Sequence, residues 1–253
     1  MTELKQELEP LNKLTIVIPA RNEAGCIVST VEHLHLELSL NHIPHEIIVV
    51  DDHSTDATWS ILNELKERLP ELKPLSNTGE AGFGRTIVCG FKEMTGDAVV
   101  VMMADESDDC RDVVRYWNKL NEGYDCVFGS RFTKGGGVID YPMHKLVLNR
   151  FANWFIKILF GINHNDITNA FKAYRYKTIQ GCSPLIAPHF NLTIEIPLKA
   201  IVRGYSWASI PITWRNRRTG LSKLKVQEMG SRYLFICLYV WLEKTLTTDY
   251  RKL

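Results

Sequence analysis

The amino-acid sequence predicts an α/β fold with a mostly parallel central sheet, and three observations support that prediction. Short runs rich in β-branched residues alternate with segments of helical periodicity along the first half of the chain. The runs are nearly continuous in apolar residues, as are strands that a parallel sheet buries on both faces. Polar clusters follow the runs directly, where open sheets of this kind bind their ligands.

Five elements of the first half follow from the spacing of apolar residues. The strands are short β-branched runs, and the helices between them repeat apolar residues three and four positions apart. Thr55 and Asp56 are available as caps for the second helix. The predicted strands cover residues 14–19, 46–51 and 98–103, and the predicted helices cover residues 24–40 and 58–69.

Polar side chains cluster after each of these strands, in segments 19–23, 51–56 and 105–109. Ligands of open α/β sheets bind outside the carboxyl ends of the strands. One such cluster would mean little, because Asp, Ser and Thr are common in turns and helix caps. Three clusters at the ends of successive predicted strands predict one binding site.

Composition and charge limit the class of protein. The chain has 253 residues, 45% of them hydrophobic and 23% charged, which suits one large globular domain or two small ones. Its 30 basic and 29 acidic residues leave a formal net charge of +1. That balance gives no reason to expect nucleic acid as the main partner.

Cysteine usage and the first residues predict a reducing compartment. The six cysteines show no CxxC pair and no zinc-type spacing with histidine, so we expect buried or free thiols. Residues 1–13 are polar and lack the apolar core of a signal peptide, which predicts a cytosolic protein. The apolar run 234–242 has about half of the roughly 20 residues that a membrane-spanning helix needs.

Two segments of the second half are basic and amphipathic. Aromatic and aliphatic side chains recur at helical spacing across residues 146–162, and Lys145, Arg150 and Lys157 lie elsewhere on that predicted helix. Such a helix either packs on the protein core or lies in a membrane interface with its aromatic residues in lipid. Residues 232–246 present the same alternatives. Two segments of this kind favour the interfacial interpretation.

Several motifs suit nucleotide and phosphate chemistry, although each also has a purely structural explanation. The aspartates of segment 51–56 can accept hydrogen bonds from a base or ribose, or order a turn. The glycine-rich turn 79–84 could admit a phosphate at a helix N-terminus, but it lacks the lysine of a P-loop. Segment 105–109 offers the hard oxygen ligands that Mg²⁺ and Mn²⁺ prefer, or is a solvated loop that caps a helix. The cationic loops 129–131 and 217–223 could bind phosphates.

The order of these motifs resembles the inverting family-two glycosyltransferases, in the dolichol-phosphate mannose synthase-like branch that glycosylates polyprenyl phosphates. The resemblance covers about residues 14–225. Each motif alone is modest, whereas the ordered set is specific. In chain order the motifs are Ile18-Pro-Ala-Arg-Asn-Glu23, Val50-Asp-Asp-His-Ser-Thr-Asp56, Gly82-Phe-Gly84, Thr95-Gly-Asp97, Met103-Ala-Asp105, Gly129-Ser-Arg131-Phe, Asp166-Ile-Thr-Asn-Ala-Phe171, Glu195, Pro211, Arg217 and Gly220-Leu-Ser-Lys223.

The resemblance implies a GT-A type nucleotide-binding fold with a divalent ion, Mg²⁺ or Mn²⁺, under the donor's diphosphate. It implies catalytic roles for Asp105 and Arg131, and metal binding by Asp105 and Ser107. The phosphates of donor and acceptor would be bound by Arg131, Arg217, Ser222 and Lys223. The nucleotide-binding positions that it implies are Pro19, Ala20, Arg21, Glu23, Asp52, Ser54, Gly84 and Ala104.

One departure from the family pattern concerns the metal. The family usually has Asp-x-Asp where this chain has Met103-Ala-Asp105, so the first carboxylate is absent. A thioether does not replace a carboxylate as a ligand of Mg²⁺. The missing oxygen would come from Glu106, Asp108 or Asp109, or Asp105 would hold the ion through water molecules.

The predicted reaction is in-line attack of a lipid-linked phosphate on the anomeric carbon of a nucleoside-diphosphate sugar, with inversion and release of nucleoside diphosphate. A phosphate is anionic at neutral pH, so it needs no general base. Two alternatives stay open. One is transfer to a saccharide acceptor in polysaccharide or lipopolysaccharide synthesis, with Asp108, Asp109, Asp166 or Glu195 as catalytic carboxylate. The other is a non-catalytic sugar-nucleotide-binding protein.

The expected partners are a nucleotide-sugar donor, a polyprenyl phosphate and a membrane surface, with no nucleic acid. GDP-mannose is the favoured donor and UDP-glucose is next. Residues 1–225 are expected to form the GT-A domain, including an amphipathic helix at about 145–162, and residues 226–253 a C-terminal amphipathic membrane-interface segment. The chain is expected on the cytoplasmic face of a membrane as a peripheral protein.

Overall fold

The computed structural model describes residues 10–216 and 226–246, in which strands and helices alternate as predicted. The five elements predicted for the first half are present, with ends that differ from the predicted ones by at most three residues. The strands are β1 Leu14–Ala20, β2 His45–Asp51, β3 Leu72–Ser76, β4 Ala98–Val101, β5 Cys126–Ser130, β6 Gly137–Ile139, β7 Lys172–Arg175, β8 Trp207–Pro211 and β9 Thr213–Arg215. The helices are α1 Ile27–Leu40, α2 Thr58–Arg68, α3 Phe83–Glu93, α4 Cys110–Asn121, α5 Met143–Phe160, α6 Tyr176–Gly181, α7 Leu192–Val202 and α8 Val226–Leu246.

A seven-stranded sheet of order β3-β2-β1-β4-β7-β5-β8 forms the centre of the protein. Strand β1 pairs in parallel with β2 and β4, β2 with β3, and β5 with β8. Within the described part of this sheet, β7 alone runs antiparallel, to both β4 and β5. The sheet is therefore mostly parallel, which confirms the predicted fold class. Strands β6 and β9 form a separate parallel pair.

Both faces of the sheet are buried under helices, and β1 shows how its sequence fits that environment. Every residue of β1 is buried. Because successive side chains of a strand point to opposite faces, Ile16 and Ile18 enter the core on the side of α1 and α4, whereas Val17 enters the core on the side of α3 and α7. A nearly continuous apolar run is what a strand buried on two faces requires.

Helix α3 approaches the sheet closely because Gly90 faces it. A Cβ added at Gly90 would lie 2.6 Å from Val17 Cγ1 on β1 and 3.4 Å from Val50 Cγ2 on β2. The absence of a side chain at this position lets the helix pack against both strands. This packing places the start of α3, including Gly82 and Gly84, beside the carboxyl ends of β1 and β2.

The two amphipathic segments are helical, as α5 and α8, and each buries one narrow stripe. Helix α5 buries Asn153, Ile156 and Phe160, and α8 buries Ile236, Cys237 and Val240. Lys244 Nζ on α8 donates to Phe160 O at the end of α5, at 2.8 Å. The large apolar side chains that remain exposed on these helices are Met143, Val147, Leu148, Phe151, Trp154, Phe155, Ile158, Leu234, Phe235, Leu238, Trp241, Leu242 and Leu246. Packing on the protein core thus accounts for only one side of each helix.

Two further expectations from the sequence can be compared with the structure. All six cysteines lie in the described part of the chain and are free thiols, as predicted. Across residues 10–216 and 226–246, no helix combines the length and the apolar character needed to cross a bilayer.

We expect Gly90→Ala to destabilise the protein, although alanine is the better helix former by about 1 kcal/mol. The added methyl group would press on Val17, and overpacking of this kind costs about 1–3 kcal/mol. Gly230→Ala in α8 is the matched control, because no described atom beyond its own helix lies within 4 Å of an added Cβ. Urea unfolding would compare the two variants. Equal stabilities would contradict this account of how α3 packs.

Candidate active site

The polar clusters predicted to share one site meet at the carboxyl edge of β1, β2 and β4. Backbone pairing continues past the strand ends, since Asp52 N donates to Ala20 O at 2.8 Å and Asn77 N donates to Asp51 O at 2.9 Å. Ala104, which follows β4, is buried, and its carbonyl accepts from Thr30 Oγ1 of α1 at 2.9 Å. The edge is therefore a continuous surface built from the loops after three adjacent strands.

The loops after β1 and β2 are joined by side chain to backbone hydrogen bonds. Ser54 Oγ accepts from Asn22 N at 2.9 Å, and Asn22 Oδ1 accepts from Thr55 N at 2.7 Å. Asp56 Oδ1 accepts from Thr58 N at 3.0 Å, but the N-cap position of α2 is Ala57 and not Thr55 or Asp56 as predicted. Ser54 thus orders the loop that carries Arg21, which is exposed, and Glu23, which is half-buried.

Asp52 connects the end of β2 to the glycine-rich turn. Its carboxylate is buried and accepts from Asn77 Nδ2 at 2.8 Å and from Gly82 N at 3.0 Å. The neighbouring Asp51 accepts from Ser54 N at 3.2 Å through Oδ2, while its buried Oδ1 has no hydrogen-bond partner among the described residues. Asn77 had no predicted role, because it follows β3, where only one of five residues is fully buried and the apolar pattern is weak.

The acidic side chains of the loop after β4 have different hydrogen-bond partners. Asp105, only 7% exposed, accepts from Ser107 N at 3.2 Å. Glu106 has a positive φ of 59° and its carboxylate turns away to hydrogen-bond with Ser29 on α1. Asp109 caps α4 by accepting from Arg111 N at 3.0 Å. Of the oxygens considered for the missing carboxylate of the metal motif, those of Glu106 and Asp109 are thus engaged elsewhere.

A divalent ion fits this loop with few protein ligands. In the described residues, no group of three or more His, Cys, Asp or Glu side chains converges on one point. Asp105 provides a carboxylate, and the buried Ser107 Oγ has no hydrogen-bond partner in the described part of the chain. Mg²⁺ commonly binds through one or two carboxylates and completes its shell with water and substrate phosphates. Asp105 and Ser107 suit an ion held in that way.

Asp108 is the most perturbed carboxyl group of the loop. It is buried, and its Oδ2 accepts from Met103 N at 3.0 Å. Burial raises the pKa of Asp108 to about 7, and the nearby Asp105 carboxylate contributes to the increase, whereas the hydrogen bond from Met103 opposes it. Asp108 is therefore held partly protonated near neutral pH.

Arg131, which directly follows β5, forms a two-pronged ion pair with Asp166. Its Nε donates to Asp166 Oδ2 at 2.8 Å and its Nη2 donates to Oδ1 at 2.7 Å, and both side chains are buried. Burial alone would lower the pKa of Arg131, but the Asp166 carboxylate raises it above its usual range. The guanidinium is charged, and the rings of Phe132 and Tyr141 lie 5.2 and 5.8 Å from its Cζ.

A fully buried lysine supports the turn that carries Asp166. Lys172 Nζ donates to the carbonyls of Ile167 at 2.9 Å and Thr193 at 3.2 Å, and also to that of Asn169. Burial lowers the pKa of Lys172 to about 7, although Asp166 opposes that shift. Lys172 could not be predicted, because a lysine at the start of a strand is ordinarily expected at the surface.

Three of the predicted phosphate ligands, Arg217, Ser222 and Lys223, lie outside the described residues. The other predicted site residues are described, and the structure arranges them in two groups. The first group lies around the ends of β1, β2 and β4. Its members at β1 and β2 are Pro19, Ala20, Arg21, Glu23, Asp52, Ser54 and Gly84, and its members after β4 are Ala104, Asp105 and Ser107. Arg131 belongs to the second group, with Asp166 and Tyr141.

An α/β sheet with an acidic loop and a buried arginine beyond its strand ends is the arrangement that the resemblance to GT-A glycosyltransferases predicts. Residues 15–181 match the family model described as glycosyl transferase family 2. The chain belongs to this family, which confirms the resemblance drawn from its motifs.

The chain is similar over most of its length to two named enzymes. It is 30% identical over 241 residues to the polyprenol monophosphomannose synthase of Mycolicibacterium smegmatis, covering 89% of each chain. It is 30% identical over 217 residues to the dolichol-phosphate mannosyltransferase of Pyrococcus furiosus, covering 84% of this chain and 59% of that relative. The chain therefore spans less than two thirds of the length of the second enzyme.

Solved structures confirm the fold. The glucosyl-3-phosphoglycerate synthase of Mycobacterium tuberculosis with Mn²⁺, UDP-glucose and phosphoglyceric acid superposes with a TM-score of 0.69, at 18% identity over 94% of this chain and 81% of that one. The same synthase with Mg²⁺ and UDP gives a TM-score of 0.66, also at 18% identity over 94% of this chain and 81% of that one. At this identity the likeness shows the fold alone.

We expect Asp108→Asn to change the pH dependence of stability. The folded protein keeps Asp108 protonated up to a pKa of about 7, whereas the ordinary value is 3.8, so its stabilising contribution is present below pH 3.8 and is lost as the pH rises through about 7. Asparagine does not ionise and its carbonyl oxygen can still accept from Met103 N.

The variant should therefore be more stable than wild type at about pH 8.5, by on the order of 1 kcal/mol or more, and closer to wild type at about pH 5. Urea unfolding in EDTA without nucleotide measures both values. If the free energies of unfolding of the variant and the wild type differ by the same amount at both pH values, the pKa of Asp108 is not raised.

Proposed function

We propose that this glycosyltransferase transfers a hexose from a nucleoside-diphosphate sugar to a polyprenyl phosphate, dolichyl or undecaprenyl, with inversion at the anomeric carbon. GDP-mannose is the favoured donor and UDP-glucose is next. The two relatives at 30% identity are named for polyprenol and dolichol-phosphate substrates, and this supports the acceptor class.

The observation that carries the proposal is the contact between the exposed apolar helix α5 and the loop of Arg131. Arg150 on α5 lies with its Cζ 4.5 Å from the ring centroid of Phe132, the residue next to Arg131. Asn149 Nδ2, one residue earlier, donates to Thr168 Oγ1 at 2.9 Å, in the turn of Asp166. An apolar surface that begins beside a buried guanidinium suits an acceptor with an anionic head and a hydrocarbon chain.

The donor is proposed to bind at the ends of β1, β2 and β4. Asp51 Oδ1, which has no hydrogen-bond partner among the described residues, and the carboxylate of Asp52 would accept from donor groups of a base or ribose. The loop carrying Pro19, Ala20, Arg21 and Glu23 would form the wall around the base, with Ser54 ordering it. Gly84, in the first turn of α3, donates its N–H to Pro188 O, so its proposed contribution to the nucleotide site is the close backbone packing that sets the position of the glycine-rich turn.

Catalysis is proposed to rest on charge and alignment. The acceptor phosphate is already anionic, so no protein group needs to remove a proton. Arg131 remains charged while buried, and a guanidinium held in place by Asp166 stabilises developing negative charge without reorganisation. Arg131 would face the leaving diphosphate, with Arg217, Ser222 and Lys223 on the acceptor phosphate.

A divalent ion is proposed at Asp105 and Ser107, and the solved structures of the M. tuberculosis synthase with Mn²⁺ or Mg²⁺ support divalent metal use in this fold. Such an ion, when bound, neutralises charge on the leaving diphosphate. The side chain at position 103 contributes no oxygen, so fewer protein ligands hold the ion than in an Asp-x-Asp motif.

The carboxylates considered for a saccharide acceptor are all engaged in the structure. Asp109 pairs with Arg111, Asp166 with Arg131, and Glu195 with Lys199. Asp108 is buried and accepts from Met103 N. A general base must reach the hydroxyl that it deprotonates. These pairings support an acceptor that is already ionised.

A peripheral position on the cytoplasmic face of a membrane is proposed for the protein. Helices α5 and α8 would lie in the interface, with their exposed aromatic residues in lipid. Helix α8 is attached to α7 by the buried ion pair of Glu243 Oε1 and Arg203 Nε at 2.6 Å. The segment 226–253, which includes α8, is proposed to anchor the catalytic domain of residues 1–225 to the membrane.

We expect release of nucleoside diphosphate from GDP-mannose or UDP-glucose to depend on a short polyprenyl phosphate and to fall when EDTA replaces Mg²⁺ or Mn²⁺.

Asp105→Asn should lower turnover at least about tenfold, because it removes the carboxylate proposed for the ion. Asp109→Asn is the matched control, because asparagine also caps α4. Release without the lipid, or near-normal turnover of Asp105→Asn, would contradict the proposal.

We expect Phe151→Glu to weaken binding to lipid vesicles. Phe151 is 61% exposed on α5, and burying a phenylalanine in an apolar phase contributes about 1.5–3 kcal/mol, so the partition coefficient should fall at least about tenfold. Leu36→Glu on α1 is the control, since Leu36 is 55% exposed on a different helix. Sedimentation with anionic vesicles measures both variants. If Phe151→Glu and Leu36→Glu partition onto the vesicles equally well, α5 is not the membrane contact.

A further inference from the structure

We infer that Glu195 is a positioning residue for the nucleotide pocket, acting through the loop of residues 184–191 and not on the substrate itself. The inference rests on the proposed nucleotide site at the ends of β1 and β2. It assigns a role to a carboxylate that the sequence placed among candidate catalytic bases.

Glu195 is buried in the first turn of α7, with an exposed fraction of 0%. Its Oε2 accepts from Ala187 N at 2.7 Å, and its Oε1 accepts from Ile186 N at 2.9 Å. Lys199, one helical turn later, places Nζ 2.6 Å from Oε1. A buried carboxylate needs such partners, and hydrogen bonds to an ionised group are stronger than neutral ones. Glu195 thus holds two successive backbone amides of the loop.

The next residue of that loop contacts the start of α3. Pro188 O accepts from Gly84 N at 3.1 Å and from Arg85 N at 3.2 Å. A Cβ added at Gly84 would lie 2.2 Å from Ala187 O, so the two backbones meet without intervening side chains. The rings of Phe83 and Phe190 pack beside this contact with centroids 4.3 Å apart. The position of the first turn of α3 therefore depends on the loop that Glu195 holds.

The start of α3 is in turn bonded to Asp52. Gly82 N donates to Asp52 Oδ2 at 3.0 Å, and a Cβ at Gly82 would lie 2.5 Å from Pro188 O. Direct contacts therefore lead from Glu195 through Ala187 and Pro188 to the glycine-rich turn and the carboxylate of Asp52. Such a series of contacts can set the geometry of a pocket without touching its ligand.

The same contacts argue against proton transfer by Glu195. Both of its oxygens accept hydrogen bonds from protein groups, and no part of the residue is exposed. A catalytic base must come within hydrogen-bond reach of the proton that it takes. Glu195 would have to abandon the loop to do so.

The test compares three single variants by titration calorimetry with GDP and UDP. Glu195→Gln keeps the size of the side chain and one acceptor oxygen but removes the charge. We expect the Kd of the nucleotide and the KM of the donor sugar to rise about tenfold, with a smaller change in kcat. Gly84→Ala disturbs the same contact from the α3 side and should also weaken nucleotide binding.

The matched control is Glu243→Gln, which removes the charge from the other buried ion pair of α7. Glu243 pairs with Arg203, whose Nη1 donates to Gly181 O and Ser183 O, which precede the loop of residues 184–191. This variant should lose thermal stability as Glu195→Gln does, while its nucleotide Kd stays at the wild-type value. Circular dichroism confirms that each variant is folded at the temperature of the titration.

The double variant Glu195→Gln/Gly84→Ala tests whether the two residues act through one contact. Effects on nucleotide affinity should be less than additive, because the second change disturbs a loop contact already loosened by the first. Full additivity would overturn the inference. So would a folded Glu195→Gln protein with wild-type affinity, an equal loss of affinity in Glu243→Gln, or loss of one limb of the kcat pH profile at unchanged Kd.

Failure of the proposed function has a different signature. A wild-type protein that binds nucleotide but transfers no hexose to polyprenyl phosphate would contradict the acceptor, while the Glu195 variants would still decide the present inference. A wild-type protein that binds neither GDP nor UDP would overturn both.

Discussion

The ion pair between Arg131 and Asp166 organises the half of the protein beyond β5. Two buried charges in this position cost several kcal/mol each in desolvation, and their paired geometry offsets that cost only while both partners are present. The pair ties the end of β5 to the turn that leads into β7, the antiparallel strand of the sheet. Lys172 fixes the same turn by binding its carbonyls. The result is a charged guanidinium that does not have to reorganise when negative charge develops beside it.

The proposed nucleotide half of the site is ordered by carboxylates that bind backbone amides. Asp52 holds Gly82, Asp51 holds Ser54, and Glu195 holds Ile186 and Ala187. Movement of such a loop would leave its buried carboxylate without hydrogen-bond partners, and this cost opposes displacement of the loop at the sheet edge. Only the glycines of the turn allow the backbones to approach this closely. The proposed acceptor half is different in character, since helix α5 exposes aromatic residues beside the Arg131 loop.

The substitution of methionine in the Asp-x-Asp motif changes the balance of charge in the acidic loop. Met103 donates its backbone N–H to Asp108, which burial keeps partly protonated near neutral pH. Asp105 is left as a buried carboxylate beside the Ser107 hydroxyl, which has no hydrogen-bond partner in residues 10–216 and 226–246. A site of this kind carries less negative charge than one with two ionised aspartates, so an ion there would depend more on the phosphates of the donor.

The sequence by itself determined the α/β class, the early strands and helices, and the meeting of the three polar clusters, because each of these follows from local apolar periodicity and from where parallel strands end. It also showed that two helices are amphipathic, but the exposure of Phe151 and its neighbours became visible only in the structure. Only the tertiary structure decided which partners each of the candidate carboxylates has. Asp166 and Glu195 look alike in sequence as isolated acidic residues. The tertiary structure brings Asp166 to Arg131, 35 residues away along the chain, and folds the loop before α7 so that Ala187 N reaches Glu195, eight residues later.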